Sequence, residues 1–124
     1  MSKTELRALE LGFIPSKPIF DTRYDMILDN GIHLLRIQIK YADGKMSNSS
    51  GSIRVKLEYK DRKQNIYTYK QEEVDGLVVY LPRVDRLCFF PLEIFIGKKY
   101  LCVRVEPAKN NQNKKILLAE KYYW

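Results

Sequence analysis

At 124 residues the chain has the size of one domain, spanning 1–124, and its 22 lysines and arginines against 15 acidic residues give a net charge of +7. Apolar residues make up 45%, ordinary for a globular chain. No run is long enough to cross a membrane and the Met1-Ser-Lys start carries no signal-peptide pattern, so an intracellular location, cytoplasm or nucleoid, is expected. Cys88 and Cys102 form no CxxC pair or Cys/His cluster, which excludes a zinc site; both sit in apolar runs and read as buried free thiols. The charge excess is spread along the chain and suits a polyanionic partner.

Residues 2–12 read as a short helix. Ser2 and Glu5 fit an S-x-x-E capping box, Leu6, Leu9 and Phe13 form an apolar stripe, and Gly12 is a helix terminator. Glu5 has two readings, cap partner of Ser2 or member of an active site; Glu10, on the other side of the stripe, reads as a solvated flank. Residues 13–23 carry Pro15 and Pro18 and are expected to be extended. Lys17 and Arg23 are candidate phosphate contacts, the alternative being simple exposure.

Tyr24–Tyr41 organises the chain. Asn30-Gly31 between apolar runs signals a hairpin. Alternation puts Tyr24, Met26 and Leu28 on one face of the first strand and Asp25, Ile27 and Asp29 on the other; on the second, Leu35, Ile37, Ile39 and Tyr41 oppose Arg36, Gln38 and Lys40. A two-residue turn sets Asp25 across from Arg36, and a four-residue loop over Asn30–His33 sets it opposite Gln38. Either way Asp25, Gln38 and Lys40 share a face. A carboxylate, an amide oxygen and an ammonium gathered in this way suit a divalent metal beside a phosphate. Asp25, the Gln38 side-chain carbonyl and the Ile39 backbone carbonyl would hold Mg²⁺, and Lys40 would orient or deprotonate water or balance charge on phosphorus. Asp29 reads as a turn initiator, Asp21 as a reserve ligand and His33 as a bystander in the hairpin loop.

Residues 42–52, small and polar, are expected to form a loop. Ile53–Tyr59 alternates as a strand, with Arg54 and Lys56 on a polar face that extends the active face. Residues 60–73 interleave Arg62, Lys63 and other cations with Tyr67 and Tyr69, a pattern for backbone contacts and stacking on DNA, the alternative being an exposed loop whose tyrosines plug the core edge. Strands follow at Gly76–Leu81, Arg86–Phe90 and Tyr100–Val105, with Asp75 structural at a strand start. A basic loop covers Lys109–Lys115. The terminal aromatics Tyr122–Trp124 are expected to pack on the core or on another subunit. The sum is an α/β (α+β) domain with a mixed sheet of about five or six strands and an N-terminal helix.

The segments Leu11-Gly12-Phe13, Ser16-Lys17-Pro18, Arg23-Tyr24-Asp25 and Arg36-Ile37-Gln38-Ile39-Lys40 resemble the PD-(D/E)XK nuclease superfamily, most closely its branch of group I intron-associated homing endonucleases. Weaker similarity runs through Glu73-Val74-Asp75 into Gly76–Tyr80. Three departures stand out: Gln38 replaces the acid usual two residues before the lysine, Tyr24 replaces the proline usual before the aspartate, and the segment from Glu5 to Gly12 is about one helical turn short. The resemblance implies a restriction-endonuclease-like core and a Mg²⁺-dependent endonuclease acting on double-stranded DNA. It implies Asp25, Gln38, Lys40 and Glu5 as catalytic residues; Lys17, Arg23, Arg54, Lys56, Arg62 and Lys63 are the DNA contacts expected from the charge pattern. One site per chain implies a homodimer or higher homo-oligomer for cutting a duplex, with Tyr122–Trp124 as a partner surface. A catalytically inactive DNA-binding module of the same fold and a junction-resolving nuclease are the alternatives.

Overall fold

The computed structural model describes residues 2–43, 45, 46, 49–106 and 117–124. The basic loop expected at Lys109–Lys115 lies outside these residues, as do Gly44, Ser47 and Asn48 of the polar stretch after Tyr41.

Helix α1 (Lys3–Glu10) starts as its cap predicts: Ser2 Oγ accepts from the Glu5 amide at 3.1 Å, and Gly12, at φ +89°, takes the left-handed conformation that ends the helix. The face it buries is not the expected one. Thr4 and Ala8 point inward, while Leu6 and Leu9 stay 53% and 46% exposed. Small side chains at i and i+4 let the helix lie close to the sheet, and two turns are too few for the 3.6-residue period to single out one stripe. Phe13 does pack inward, as expected.

The chain continues as β1 (Ile14–Ser16), β2 (Met26–Asp29), β3 (Leu34–Tyr41), β4 (Lys45–Met46), β5 (Ser49–Lys56), β6 (Tyr59–Lys60), β7 (Ile66–Tyr67), β8 (Gly76–Leu81) and β9 (Arg86–Pro91). Helix α2 (Leu92–Phe95), β10 (Tyr100–Arg104), β11 (Leu117–Leu118) and a 3₁₀ turn (Ala119–Tyr122) follow. The first sheet is mixed and five-stranded, in the order β1-β2-β3-β8-β9, with only β3 and β8 parallel. A second sheet, β11-β10-β5-β4, was not anticipated. It takes up part of the 42–52 stretch expected to be a loop, because β5 begins at Ser49, pairs with β4 there and with β10 from Ser52 to Lys56. The β6–β7 pair is a two-stranded ribbon.

Alternation along the strands feeds two cores. Met26, Leu28, Ile37, Val78 and Leu87 meet Ala8 under α1. On the opposite face Leu77, Val79, Leu81, Cys88 and Phe90 meet Ile53, Val55, Leu101 and Val103 of the second sheet. Strand β8 is therefore covered on both sides, which accounts for its unbroken apolar sequence. Tyr24 departs from its expected face. It packs on the second core rather than beside Met26, because the regular strand begins only at Met26 and residues before it bend, with Thr22 Oγ1 donating to the Tyr24 carbonyl at 2.6 Å.

The terminal aromatics pack on their own chain, the first of the two expected outcomes. Tyr123 bridges to Cys88, Trp124 N–H donates to the Leu87 carbonyl at 2.9 Å, and Tyr122 and Trp124 lie against Phe90 and Phe89. Pairing with the β9 edge leaves all three half-buried. Cys88 is buried, and burial pushes its thiol up to about 11. Cys102 is only half-buried, at the position paired with Arg54. Among the described residues no helix is long and apolar enough to cross a membrane.

Candidate active site

The loop of the central hairpin sets the register of the site. Asp29 pairs with Leu34, so the connection is the four-residue loop Asn30–His33. Asn30 Oδ1 accepts from the Ile32 and His33 amides at 2.9 and 2.7 Å, Asp29 Oδ1 accepts from Gly31 N–H at 2.7 Å, and Gly31 sits at φ +91°. With Met26 opposite Ile37, the next residue outward, Asp25, faces Gln38. Asp29 is the turn initiator it was expected to be, and His33 stays exposed in the loop.

Asp25 is held by main chain and side chain together. Its N–H donates to the Ile37 carbonyl at 2.8 Å. Its Oδ2 accepts from Gln38 Nε2 at 2.8 Å and from the Ile39 amide at 2.9 Å. The carboxylate thus stands in for the strand residue that β2 lacks beyond Met26. A strand residue's N–H and C=O point to the same side, so the Ile39 carbonyl faces the edge that Asp25 lines, past the end of the β2 ladder. Among the described residues nothing donates to Asp25 Oδ1. Gln38 presents its NH₂ to the acid, which leaves Oε1 free of that bond.

Lys40 follows on the same face, half-buried, with its ammonium 5.4 Å from the centre of the Tyr69 ring. Burial holds its pKa below the ordinary lysine value, and the nearby Asp25 charge pulls only partly the other way. Tyr69 is buried, and loss of solvent, with the Asp25 charge adding to it, pushes its phenol up to about 12. It stays a neutral hydroxyl throughout the working range.

A second tier surrounds this group. Arg23 Nε lies 3.3 Å from Glu73 Oε2 and its guanidinium 4.2 Å over the Tyr59 ring. Tyr59 packs in turn on Tyr67 and Tyr69, with ring centres 5.4 and 5.3 Å apart. Tyr59, Tyr69 and Glu73 were not foreseen as neighbours of the site. Tyr59 opens the short β6 strand and Tyr69 and Glu73 follow the β6–β7 ribbon, where no period marks a shared face.

The remaining candidates fall into separate places. Glu5 pairs with Lys17 Nζ at 2.8 Å and carries the Ser2 cap interaction, and the Lys17 bond first, then Ser2, holds its carboxyl below the usual range. No hydrogen bond or ion pair among the described residues joins it to Asp25, Gln38 or Lys40. Lys17 leaves β1 next to the end of β2 that carries Asp25, since Ser16 pairs with Ile27. Glu10 pairs with Arg7 at 2.9 Å on the surface. Arg54 and Lys56 line a cleft of about 360 Å³ together with Lys40, Tyr41 and Asp43. Arg62 and Lys63 are exposed at the tip of the β6–β7 ribbon. Asp75 is structural, as expected. It clamps Arg36 by accepting from its N–H, Nε and Nη2 at 2.8, 3.0 and 3.2 Å.

Among the described residues no three His, Cys, Asp or Glu side chains gather to hold an ion. The donor set at Asp25 is one carboxylate oxygen, one amide oxygen and one main-chain carbonyl. That set fits a hard cation whose remaining positions are filled by water and phosphate oxygens.

An acid fixed just before one strand thus faces an amide and a half-desolvated amine two residues apart on the next. A family model described as PD-(D/E)XK endonuclease matches residues 2–124, and the chain belongs to that family. A solved bacterial homing endonuclease, I-Ssp6803I, shares the fold with a TM-score of 0.73 at 22% identity, over 97% of this chain and 80% of that one. The crystal structure of MepB aligns more loosely, at a TM-score of 0.44 and 17% identity, over 93% of this chain and 87% of that one. No curated protein sequence matches the chain.

Proposed function

We propose that the chain is a Mg²⁺-dependent DNA endonuclease of the homing type, of the group I intron-associated branch, hydrolysing phosphodiester bonds in double-stranded DNA. The observation that carries this reading is the convergence of Asp25, Gln38 and Lys40 at one open end of the hairpin, with Lys40 partly stripped of water. Family membership and the fold shared with a homing endonuclease support it. Asp25, Gln38 Oε1 and the Ile39 carbonyl would hold the ion, whose bound charge polarises the scissile phosphate.

The chain's own groups do the rest. Burial raises the fraction of Lys40 present as free amine, so Lys40 takes the proton of the attacking water as the new P–O bond forms and the opposite one breaks. The Tyr69 ring beneath it limits its positions. Arg23, Arg54 and Lys56 supply positive charge for the backbone on either side, and Arg62 and Lys63 extend that path along the ribbon. Glu5 and Lys17 flank the site at the β1 exit, with Glu5 as a conditional fourth member. One site per chain requires two or more copies to cut both strands.

The reading is tested by cleavage of an uninterrupted exon-junction duplex with Mg²⁺ and none with Ca²⁺. Lys40→Ala and Asp25→Asn should cut far more slowly while retaining DNA binding. A second reading, a DNA-binding module without catalysis, is favoured by one observation: the single carboxylate already accepts two hydrogen bonds at Oδ2. A wild-type chain that binds duplex DNA and never cuts it under any divalent metal decides for that second reading.

A further inference from the structure

The nine residues between β1 and β2 form a loop at the Asp25 end of the sheet. Its two feet are fastened. Lys17 pairs with Glu5 at 2.8 Å, and Arg23 is held by Glu73 and the Tyr59 ring. Its tip is bare: Ile19 is 93% exposed and Phe20 84%. Two adjacent large apolar side chains in water forgo the gain of burial, and nothing among the described residues covers them. Pro18 stiffens the approach to the tip. The Lys17 and Arg23 side chains at the feet stay 64% and 49% exposed despite their ion pairs.

We propose that Ile19 and Phe20 form a wedge that inserts between base steps of duplex DNA beside the cleavage position; this rests on the nuclease reading above. Exposed Ile and Phe on a stiff turn are the side chains that unstack and kink a duplex, and the flanking cations meet its phosphates on either side. The catalytic acid lies five residues after Phe20 in the same loop, so a kink made at the tip falls next to the bond to be cut. A second copy of the chain is the poorer occupant. It brings the same Lys17 and Arg23 and the same net charge of +7 to the contact.

The test uses relaxed closed-circular plasmid and topoisomerase with the Lys40→Ala chain, expected to bind without cutting. The expected result is a change in linking number that grows with bound protein. That change should be lost when Ile19→Ser and Phe20→Ser are added, while plasmid retardation in gels persists. Retardation without a linking-number change overturns the wedge and leaves the nuclease reading standing, as does a linking-number change that survives the two serine substitutions. A Lys40→Ala chain that fails to retard the plasmid at all removes duplex DNA as the partner and overturns both. A serine variant that sediments as a smaller species than its parent, with the linking-number change intact, makes the tip a contact between copies and overturns the wedge.

Discussion

Strand β3 carries two acid–base pairs on one face, four residues apart, and they are built in opposite ways. Arg36 and Asp75 are closed on each other. The carboxylate accepts three hydrogen bonds from Arg36, the Asp75 N–H donates to the Arg36 carbonyl at 2.7 Å, and Nη1 reaches the Glu72 carbonyl at 2.5 Å. Lys40 and Asp25 are neighbours with no ion pair between them. The acid is occupied by an amide and a main-chain N–H, and the ammonium lies over a ring. In the first pair mutual neutralisation ties β3 to the start of β8. In the second, each charge is held in position and left unquenched, the condition for acting on a substrate rather than on the fold.

The sharpest way to break this contrast is to remove one member of each pair. Lys40→Ala and Asp25→Asn should each lower cleavage by about 10³-fold with the unfolding midpoint in urea almost unmoved; a large loss of stability would make them structural. Asp75→Ala should do the reverse. It strips the Arg36 N–H and Nε of their acceptor, leaving the guanidinium only its main-chain carbonyl contacts, and costs about 2 kcal/mol, after allowing for side chains that are one-third exposed. Cleavage per folded molecule should be largely kept.

Gln38→Glu sharpens the comparison from the other side. A second carboxylate replaces the donor to Asp25, so stability in chelator should fall by about 1 kcal/mol and recover on adding Mg²⁺, read by thermal melting in both buffers.

The two pairs also differ in the sign of their pH response. Asp75 titrates below its ordinary value of 3.8 because Arg36 bonds its charged form. Its contribution is therefore complete above about that pH and is lost as pH falls through the folded-state value. Lys40 titrates below 10.5 because burial disfavours its charge. Between its folded value and 10.5 the unfolded chain binds more protons, so stability rises with pH there, and cleavage should rise as the amine is freed. Lys40→Met should flatten that alkaline dependence, and Asp75→Asn the acid one, in urea titrations across pH.

The hairpin was legible because its code is local. Asn30-Gly31 and strict alternation put Asp25, Gln38 and Lys40 on one face. Two loop lengths fitted equally well, and the choice between them rests on the Asn30 side chain accepting two amides, which no pattern announces. The closed pair was half visible: Asp75 reads as structural from its position, but its partner lies 39 residues earlier. The second sheet was hidden for the same reason. Strand β5 alternates plainly, yet its pairing with β10 joins residues such as Arg54 and Cys102 that are far apart in the chain. Strand β1 was masked by Pro15, which an edge strand tolerates. The helix misled because Thr4 and Ala8, unremarkable by hydropathy, are what close approach to the sheet selects.

The bond from the Ile39 N–H to Asp25 Oδ2 makes this amide a built-in spectroscopic probe. Its acceptor is a carboxylate rather than a carbonyl, so its proton and nitrogen resonances respond to whatever draws electron density from that acid. A single cross-peak can then follow the arrival of a cation, or a change of occupant, without a label and before any DNA is added.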